Sequence, residues 1–474
     1  MTELTFGELL NASASVQSAL DTLVREVNHF STQINDVRPS LPGKAVAYQA
    51  LLTETGQLRG RDLLYPYISS GLGNGALVEL ADGSVKWDLI TGIGVHFFGH
   101  SDPALTATAL RASLSDTVKH GNLLTGAEPT HFSRKLVELA KRHSKLEHCF
   151  LSTSGTLANE NALKLALQKH APACRVLAFA DCFMGRSIVM SQIGDSAANR
   201  IGIPLNMHVD YIPFWDPALA ERVGRKRAID MTLWHLEQYV QRYPKQHACF
   251  IFELIQGEGG FRVGDRECFE ELMKLYKHHN IAVWDDEIQC FGRTESMFAY
   301  EYFDLGDYVD LFCVGKMTQA CATLYTPEYN PKPGLLSGTF TGETVSFAVG
   351  QAILERLDSG GYYGADGLFA EHFKAFENQV EALVARHPSW FPPPAGGLPI
   401  CGGVGGMMRF APFGGKKEAV IKACHSLFDA GVIAFWCGHD PYSIRFLPPL
   451  PALDVAEWPR IFERIEAGLA QATA

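Results

Sequence analysis

No stretch of this sequence approaches the about 18 consecutive apolar residues of a membrane-spanning helix, so no such span is expected. There is no block of lysine and arginine, and the formal net charge is −11, which argues against nucleic acid or an acidic membrane as the main partner. Small anionic substrates stay open, because a single buried arginine binds them whatever the net charge. The 11 cysteines are scattered and contain no CxxC spacing, which excludes a secreted disulfide framework and leaves a structural zinc site without support. Internal repeats and low-complexity tracts are also missing. The opening stretch MTELTFGELLNASASVQSALDTL reads as one amphipathic helix with early acids. It lacks the basic start and long apolar centre of a signal peptide, so the expected location is the cytoplasm.

What is present fits an enzyme. A chain of 474 residues is too long for one ordinary core, and 47% hydrophobic with 20% charged residues is a normal globular balance. The middle of the chain alternates short apolar runs with helical patterns. His148–Ser152, 175–180, 247–254, 281–284 and 309–315 read as strands, and 156–168 and 266–279 as helices. Near-continuous apolar strands between helices predict an α/β fold with a mostly parallel sheet covered by helices on both faces. The segment 71–80 reads as a hairpin strand entering the large domain. Proline and glycine cluster at 391–397, and the last third reads as a small α+β domain. The expected division is an N-terminal segment 1–75 contributing to the small domain, a large domain 76–350 and a C-terminal small domain 351–474.

Ligands of such sheets lie beyond the carboxyl ends of the strands, and three features fall there. Lys316 follows the run Val309–Gly315, where burial lowers an amine's pKa and makes it nucleophilic. The run Ile281–Trp284 ends in Asp285, Asp286 and Glu287. Thr153-Ser154-Gly155-Thr156 opens a helix, where free N–H groups and the helix dipole attract an anion. Each has a plainer reading: a snorkelling surface lysine, a solvated acidic turn, a Ser/Thr helix cap. Three adjacent acids on one strand do not converge on one ion, since alternate side chains face opposite ways, so no metal is expected. One acid aimed at a buried cation is easier to build. A nucleophilic lysine and a carboxylate at two strand ends are what a pyridoxal phosphate site needs.

Several stretches together resemble the class III aminotransferases, the ω-amino-acid group of fold type I pyridoxal phosphate enzymes. They are SGTLANENALKLAL (154–167), FMGRS (183–187), ELIQGEGGF (253–261), DDEIQCFGRT (285–294), VGK (314–316), SGTFTGE (337–343) and IRFLPPL (444–450), in the family's order. The resemblance implies a large domain with a mostly parallel sheet, a small α+β domain, and these roles. Lys316 forms the Schiff base and shuttles the proton. Asp286 pairs with the pyridine nitrogen, and Gln289 bonds the ring hydroxyl. Ile288 and Phe183 cover the two ring faces. Gly155 and Thr156 hold the phosphate, and Thr339 reaches it from a neighbouring subunit, which implies an obligate homodimer. Arg186 matches the position that binds a substrate carboxylate. Arg445 matches the one for the distal carboxylate of glutamate or 2-oxoglutarate, and Glu258 the acid that neutralises Arg445 when a plain amine or monocarboxylate is bound.

The expected activity is therefore transfer of an amino group, ω in the family sense, from an amino acid or amine to a keto acid such as 2-oxoglutarate. The rivals are another pyridoxal phosphate reaction on the same scaffold (aminomutase or decarboxylating enzyme), an acid-cluster metal hydrolase on Asp285, Asp286 and Glu287, and a non-catalytic cofactor-binding protein. The chain departs from the family pattern at Leu157, Met184 and Asp285, and the stretch MTQACATLY after Lys316 resembles the lysine ε-aminotransferase and 4-aminobutyrate aminotransferase branch. These departures bear on the substrate rather than on the cofactor.

Overall fold

The computed structural model describes residues 3–473; Met1, Thr2 and Ala474, the outer ends of the expected terminal segments, lie outside the described residues. The apolar runs of the middle region form a seven-stranded sheet. Across it the order is His148–Ser152, Cys321–Tyr325, Leu311–Val314, Ala282–Asp286, His247–Phe252, Arg175–Phe179 and His208–Ile212. Only Cys321–Tyr325 runs antiparallel to its two neighbours; the other described pairings are parallel. Cys321–Tyr325 and His208–Ile212 are strands that the sequence reading did not single out.

Alternate residues of these strands feed two separate cores. Val176, Ala178, Cys249, Ile251, Ala282, Trp284, Leu311 and Cys313 pack with Ala158, Ala162 and Ala166 of the helix Gly155–His170. Leu177, Phe179, Phe250, Phe252, Val283, Phe312 and Val314 pack with Phe269, Leu272 and Tyr276 of the helix Arg266–His278 on the other face. Each fully buried side chain of this kind contributes roughly 1.5–3 kcal/mol relative to exposure. This two-sided burial is why the runs are continuously apolar. Because the parallel strands share a direction, Ser152, Phe179, Phe252, Asp286 and Val314 all end at one edge of the sheet.

The C-terminal third builds a four-stranded antiparallel sheet, Cys401–Val404, Met407–Phe410, Ser443–Phe446 and Phe435–Cys437, packed with the helices Leu368–Arg386, Lys417–Asp429 and Trp458–Thr473. The expected hairpin forms from Ser69–Asn74 and Leu77–Leu80, but it does not enter the seven-stranded sheet. Its sheet continues through Val85–Asp88 to a parallel partner, Val432–Ile433, from the far end of the chain. Hairpin patterning fixes the local pairing only, and the outer partner is a long-range choice. The expected single N-terminal helix is likewise two, Phe6–Ala12 and Ala14–Ser31. Ser13 between them is extended (φ −64°, ψ 123°), with its hydroxyl bonded to that of Ser15 at 2.9 Å, the competition with helix that short polar side chains offer. Among the described residues no helix is long and apolar enough to cross a membrane.

Candidate active site

Lys316 follows the buried strand Leu311–Val314 and opens a single 3-10 turn, with its own φ at +50°. Left-handed backbone at a non-glycine residue costs about 1–2 kcal/mol, and such strain persists where surrounding structure enforces it. No hydrogen bond or ion pair among the described residues occupies its amine. Burial lowers its pKa, opposed by the negative charges of Glu258, Asp286 and Glu253 and reinforced by Arg445. The amine is thus shifted toward the neutral, nucleophilic form.

Strand alternation sorts the three acids. Asp286 falls on the Trp284 side, facing the helix Gly155–His170, where its carboxylate accepts from Asn159 Nδ2 at 2.7 Å and from the Ile288 N–H at 3.0 Å. Asp285 and Glu287 fall on the opposite side, where Glu287 accepts from the Ala299 and Tyr300 N–H groups at 2.8 and 2.9 Å. Asp285 lies against Glu287, and burial together with that neighbouring acid holds its carboxyl well above the usual range. No group of three or more His, Cys, Asp or Glu among the described residues is arranged to hold a metal ion.

Burial raises the Asp286 pKa from 3.8 to about 6, against the lowering effect of its two donors and Lys316. The folded carboxyl therefore keeps its proton to higher pH than the unfolded one, so this group's effect on stability worsens as pH rises from 3.8 to about 6 and is fully adverse above. The difference amounts to about 3 kcal/mol. Asp286→Asn is expected to leave the cofactor-free protein as stable as the parent or more so at pH 7.5, with a smaller gain at pH 4, while removing most activity. The new side-chain oxygen can keep the hydrogen bond from Asn159 Nδ2, which stays anchored by donating to the Met184 carbonyl at 2.9 Å. Thermal melts of both apo proteins at the two pH values check this; a large loss of stability at pH 7.5 would contradict it.

At the start of the helix Gly155–His170, Ser154 is the cap, its hydroxyl accepting from the Leu157 N–H at 3.2 Å. The cap reading is therefore right for Ser154, and the first-turn N–H groups of Gly155 and Thr156 remain for a ligand. A Cβ on Gly155 would sit 2.7 Å from Ile288 Cδ1, so only glycine lets Ile288 lie so close. The Thr156 hydroxyl accepts from the Arg186 N–H at 3.3 Å. The half-buried Phe183 is held through its N–H by Glu253 at 3.1 Å.

Arg445, on the antiparallel sheet, is completely buried. It donates to Glu258 at 2.7 Å and to Gln289 Oε1 at 3.2 Å, leaves Nε unpartnered, and has the rings of Phe435 and Phe261 at 5.3 and 5.8 Å. Burial alone would raise Glu258, but Arg445 and Lys316 hold its pKa below the usual value. The structure thus sets two bonded groups, Asp286 with Ile288 and Arg445 with Glu258 and Gln289, close enough for the charges of Asp286, Glu258 and Arg445 to act on the Lys316 amine. Two residues stand apart from these groups. The exposed Arg186 bonds Asn199 at 2.8 Å with its guanidinium 5.6 Å from the Phe183 ring centre. Thr339 lies exposed in a loop where Asn122 N–H bonds Gly338 and Thr341 N–H bonds His120.

Asn159 and Glu253 escaped the sequence reading. Asn159 sits four positions after Gly155, hence on its helix face, as a polar residue among buried alanines. Glu253 is a charge at the end of an entirely buried strand. Both signals were there to be weighed.

The sequence profile described as aminotransferase class-III matches residues 65–467. The chain belongs to the class III aminotransferase family. A diaminobutyrate–2-oxoglutarate transaminase of Nocardia farcinica is 28% identical over 398 residues, covering 80% of this chain and 85% of that one. A mitochondrial acetylornithine aminotransferase of Saccharomyces cerevisiae is 25% identical over 399 residues, covering 80% and 86%. Among solved structures, a lysine aminotransferase from M. tuberculosis in the internal aldimine form shares the fold with a TM-score of 0.77 at 22% identity, covering 89% of this chain and 99% of that chain. This class III aminotransferase is a pyridoxal phosphate-dependent transaminase with the fold type I architecture. Its residues fit the cofactor: an unpartnered buried lysine amine, a buried carboxylate for a ring nitrogen, and a glycine-opened helix N-terminus for a phosphate.

Proposed function

We propose that this aminotransferase takes the ω-amine of an amino acid or amine and delivers the amino group to 2-oxoglutarate. The observation that carries the reading is the Arg445–Glu258 pair beside the Lys316 amine. Such a pair suits two alternating substrates. With Glu258 in place, Arg445 is neutralised and a plain amine end is accepted. With Glu258 displaced, the arginine fork is free for a distal carboxylate. An aminomutase or decarboxylating enzyme has no use for that alternation. Relatives named for diaminobutyrate, acetylornithine and lysine support a donor with a second nitrogen.

Pyridoxal phosphate, when bound, supplies a carbonyl carbon for the amine and an electron-withdrawing ring. In the proposed mechanism Gly155 and Thr156 hold its phosphate through helix N-terminal donors. Phe183 and Ile288 cover the ring faces, where flat apolar contact suits a planar group. Asp286 stays ionised against the ring nitrogen, and Gln289 offers its amide to the ring hydroxyl. Lys316 Nζ takes the proton from the amine-bearing carbon of the substrate and returns it as general acid. Arg186 receives a substrate carboxylate.

The proposal includes a homodimer in the cytoplasm, with Thr339 of a neighbouring copy reaching the phosphate. The exposed apolar side chains Leu123, Leu124 and Phe340 around that loop, and Leu157 beside the phosphate-binding turn, support a covered face there. It also includes the division into residues 1–75, 76–350 and 351–474, with the helix Thr344–Ser359 carrying the chain across the second boundary.

The test is the visible spectrum of the purified holoenzyme with a panel of amines and ω-amino acids. A productive donor is expected to bleach the cofactor band, and 2-oxoglutarate to restore it. Restoration by pyruvate but not by 2-oxoglutarate would overturn the acceptor, and no bleaching by any ω-amine would overturn the donor class.

A further inference from the structure

Glu253 has no assigned part in this chemistry, yet it is built into the centre of the site. It follows the buried strand His247–Phe252 and is itself only 6% exposed. Each carboxylate oxygen accepts from a different loop: Oε1 from the Gly257 N–H at 2.8 Å and Oε2 from the Phe183 N–H at 3.1 Å. No arginine, lysine or histidine forms an ion pair with it among the described residues. Burial and the neighbouring Asp286 push its pKa to about 8. An acid buried next to another acid is a costly choice. Glutamine has the same shape without the charge, but it offers one acceptor oxygen where two donors must be met.

The two loops are the ones that matter here. One places Phe183. The other carries Glu258, and its Gly257 is pressed so close to Gln289 that a Cβ would lie 2.5 Å from Gln289 Oε1. We propose that Glu253 is a positioning residue: its carboxyl group ties the Phe183 loop to the Gly257–Glu258 loop, so that the ring-covering aromatic and the acid paired with Arg445 are held in fixed register. This rests on the proposed roles of Phe183, Glu258 and Arg445.

Glu253→Gln in the holoenzyme tests it, with two readouts. Amide hydrogen exchange at Phe183 or Gly257 should speed up by about two- to tenfold, the size of one lost hydrogen bond, while the Ile288 amide on Asp286 keeps its protection. KM for 2-oxoglutarate should rise several-fold more than KM for the amine donor, because only the former needs Glu258 moved in an ordered way; a residue that merely supports folding would shift the melting temperature and leave that ratio unchanged. Glu253→Asp, which keeps both oxygens, should recover part of the protection, and it carries the test if the glutamine variant does not fold. Unchanged exchange at both amides, or an unchanged KM ratio, overturns the inference. The exchange readout needs no turnover, so a parent enzyme inactive with every donor would sink the proposed function alone.

Discussion

Lys316→Ala is expected to abolish turnover, by at least about 10⁴-fold, while the protein still folds and still takes up pyridoxal phosphate. General acid–base catalysis by a positioned group contributes about 10²–10⁴-fold, and here the same amine also attaches the cofactor. The fold should tolerate the change. Lysine already pays for the left-handed backbone at φ +50°, and alanine bears the same strain without a charge that burial disfavours. Melting should therefore stay within a few degrees of the parent. Single-turnover spectra check the prediction, since the variant should bind the cofactor through Asp286, Gly155 and Thr156 yet show no donor-dependent cycling. Parent-like turnover would remove Lys316 from the mechanism.

Arg445→Ala is expected to lower kcat/KM for 2-oxoglutarate by about 10²–10³-fold, the range for truncating one partner of a buried hydrogen-bonded charge pair, with the amine donor affected by less than about tenfold. The asymmetry follows from the geometry. A fully buried guanidinium offers two donors to a carboxylate, and in its absence nothing among the described residues replaces it beside Gln289. The amine half-reaction loses only the partner of Glu258, whose side chain is 28% exposed and can be hydrated. Separate half-reaction kinetics distinguish the two sides, and an equal loss on both would contradict the alternation between Glu258 and a substrate carboxylate.

Much of the architecture could be read from the chain because the strands are buried on both faces. A run such as 248–252 has no polar position inside it, and two strands carry a marked residue at their carboxyl ends, Asp286 as the last residue of one and Lys316 just after the other. Where only one face or one partner is fixed locally, reading failed. The hairpin at 69–80 gave no hint that its sheet ends in Val432–Ile433 beyond Val85–Asp88, the antiparallel insertion of Cys321–Tyr325 left no mark in its composition, and Ser13 broke a helix that periodicity alone would have continued. Asn159 and Glu253 lie inside stretches that were matched, but their roles depend on acceptors and donors remote in sequence.

The sequence by itself determined that a nucleophilic lysine, an acid cluster and a helix N-terminus stand at strand ends, and that their order is that of class III aminotransferases. Only the tertiary structure decided which of the three acids faces the helix Gly155–His170: period-two alternation divides Asp286 from Asp285 and Glu287, but the side that holds the site is set by which helix packs there. It also decided that Arg445 is sealed against Glu258 and Gln289. That contact joins two sheets through residues far apart in the chain, and local propensity carries no information about such a pair.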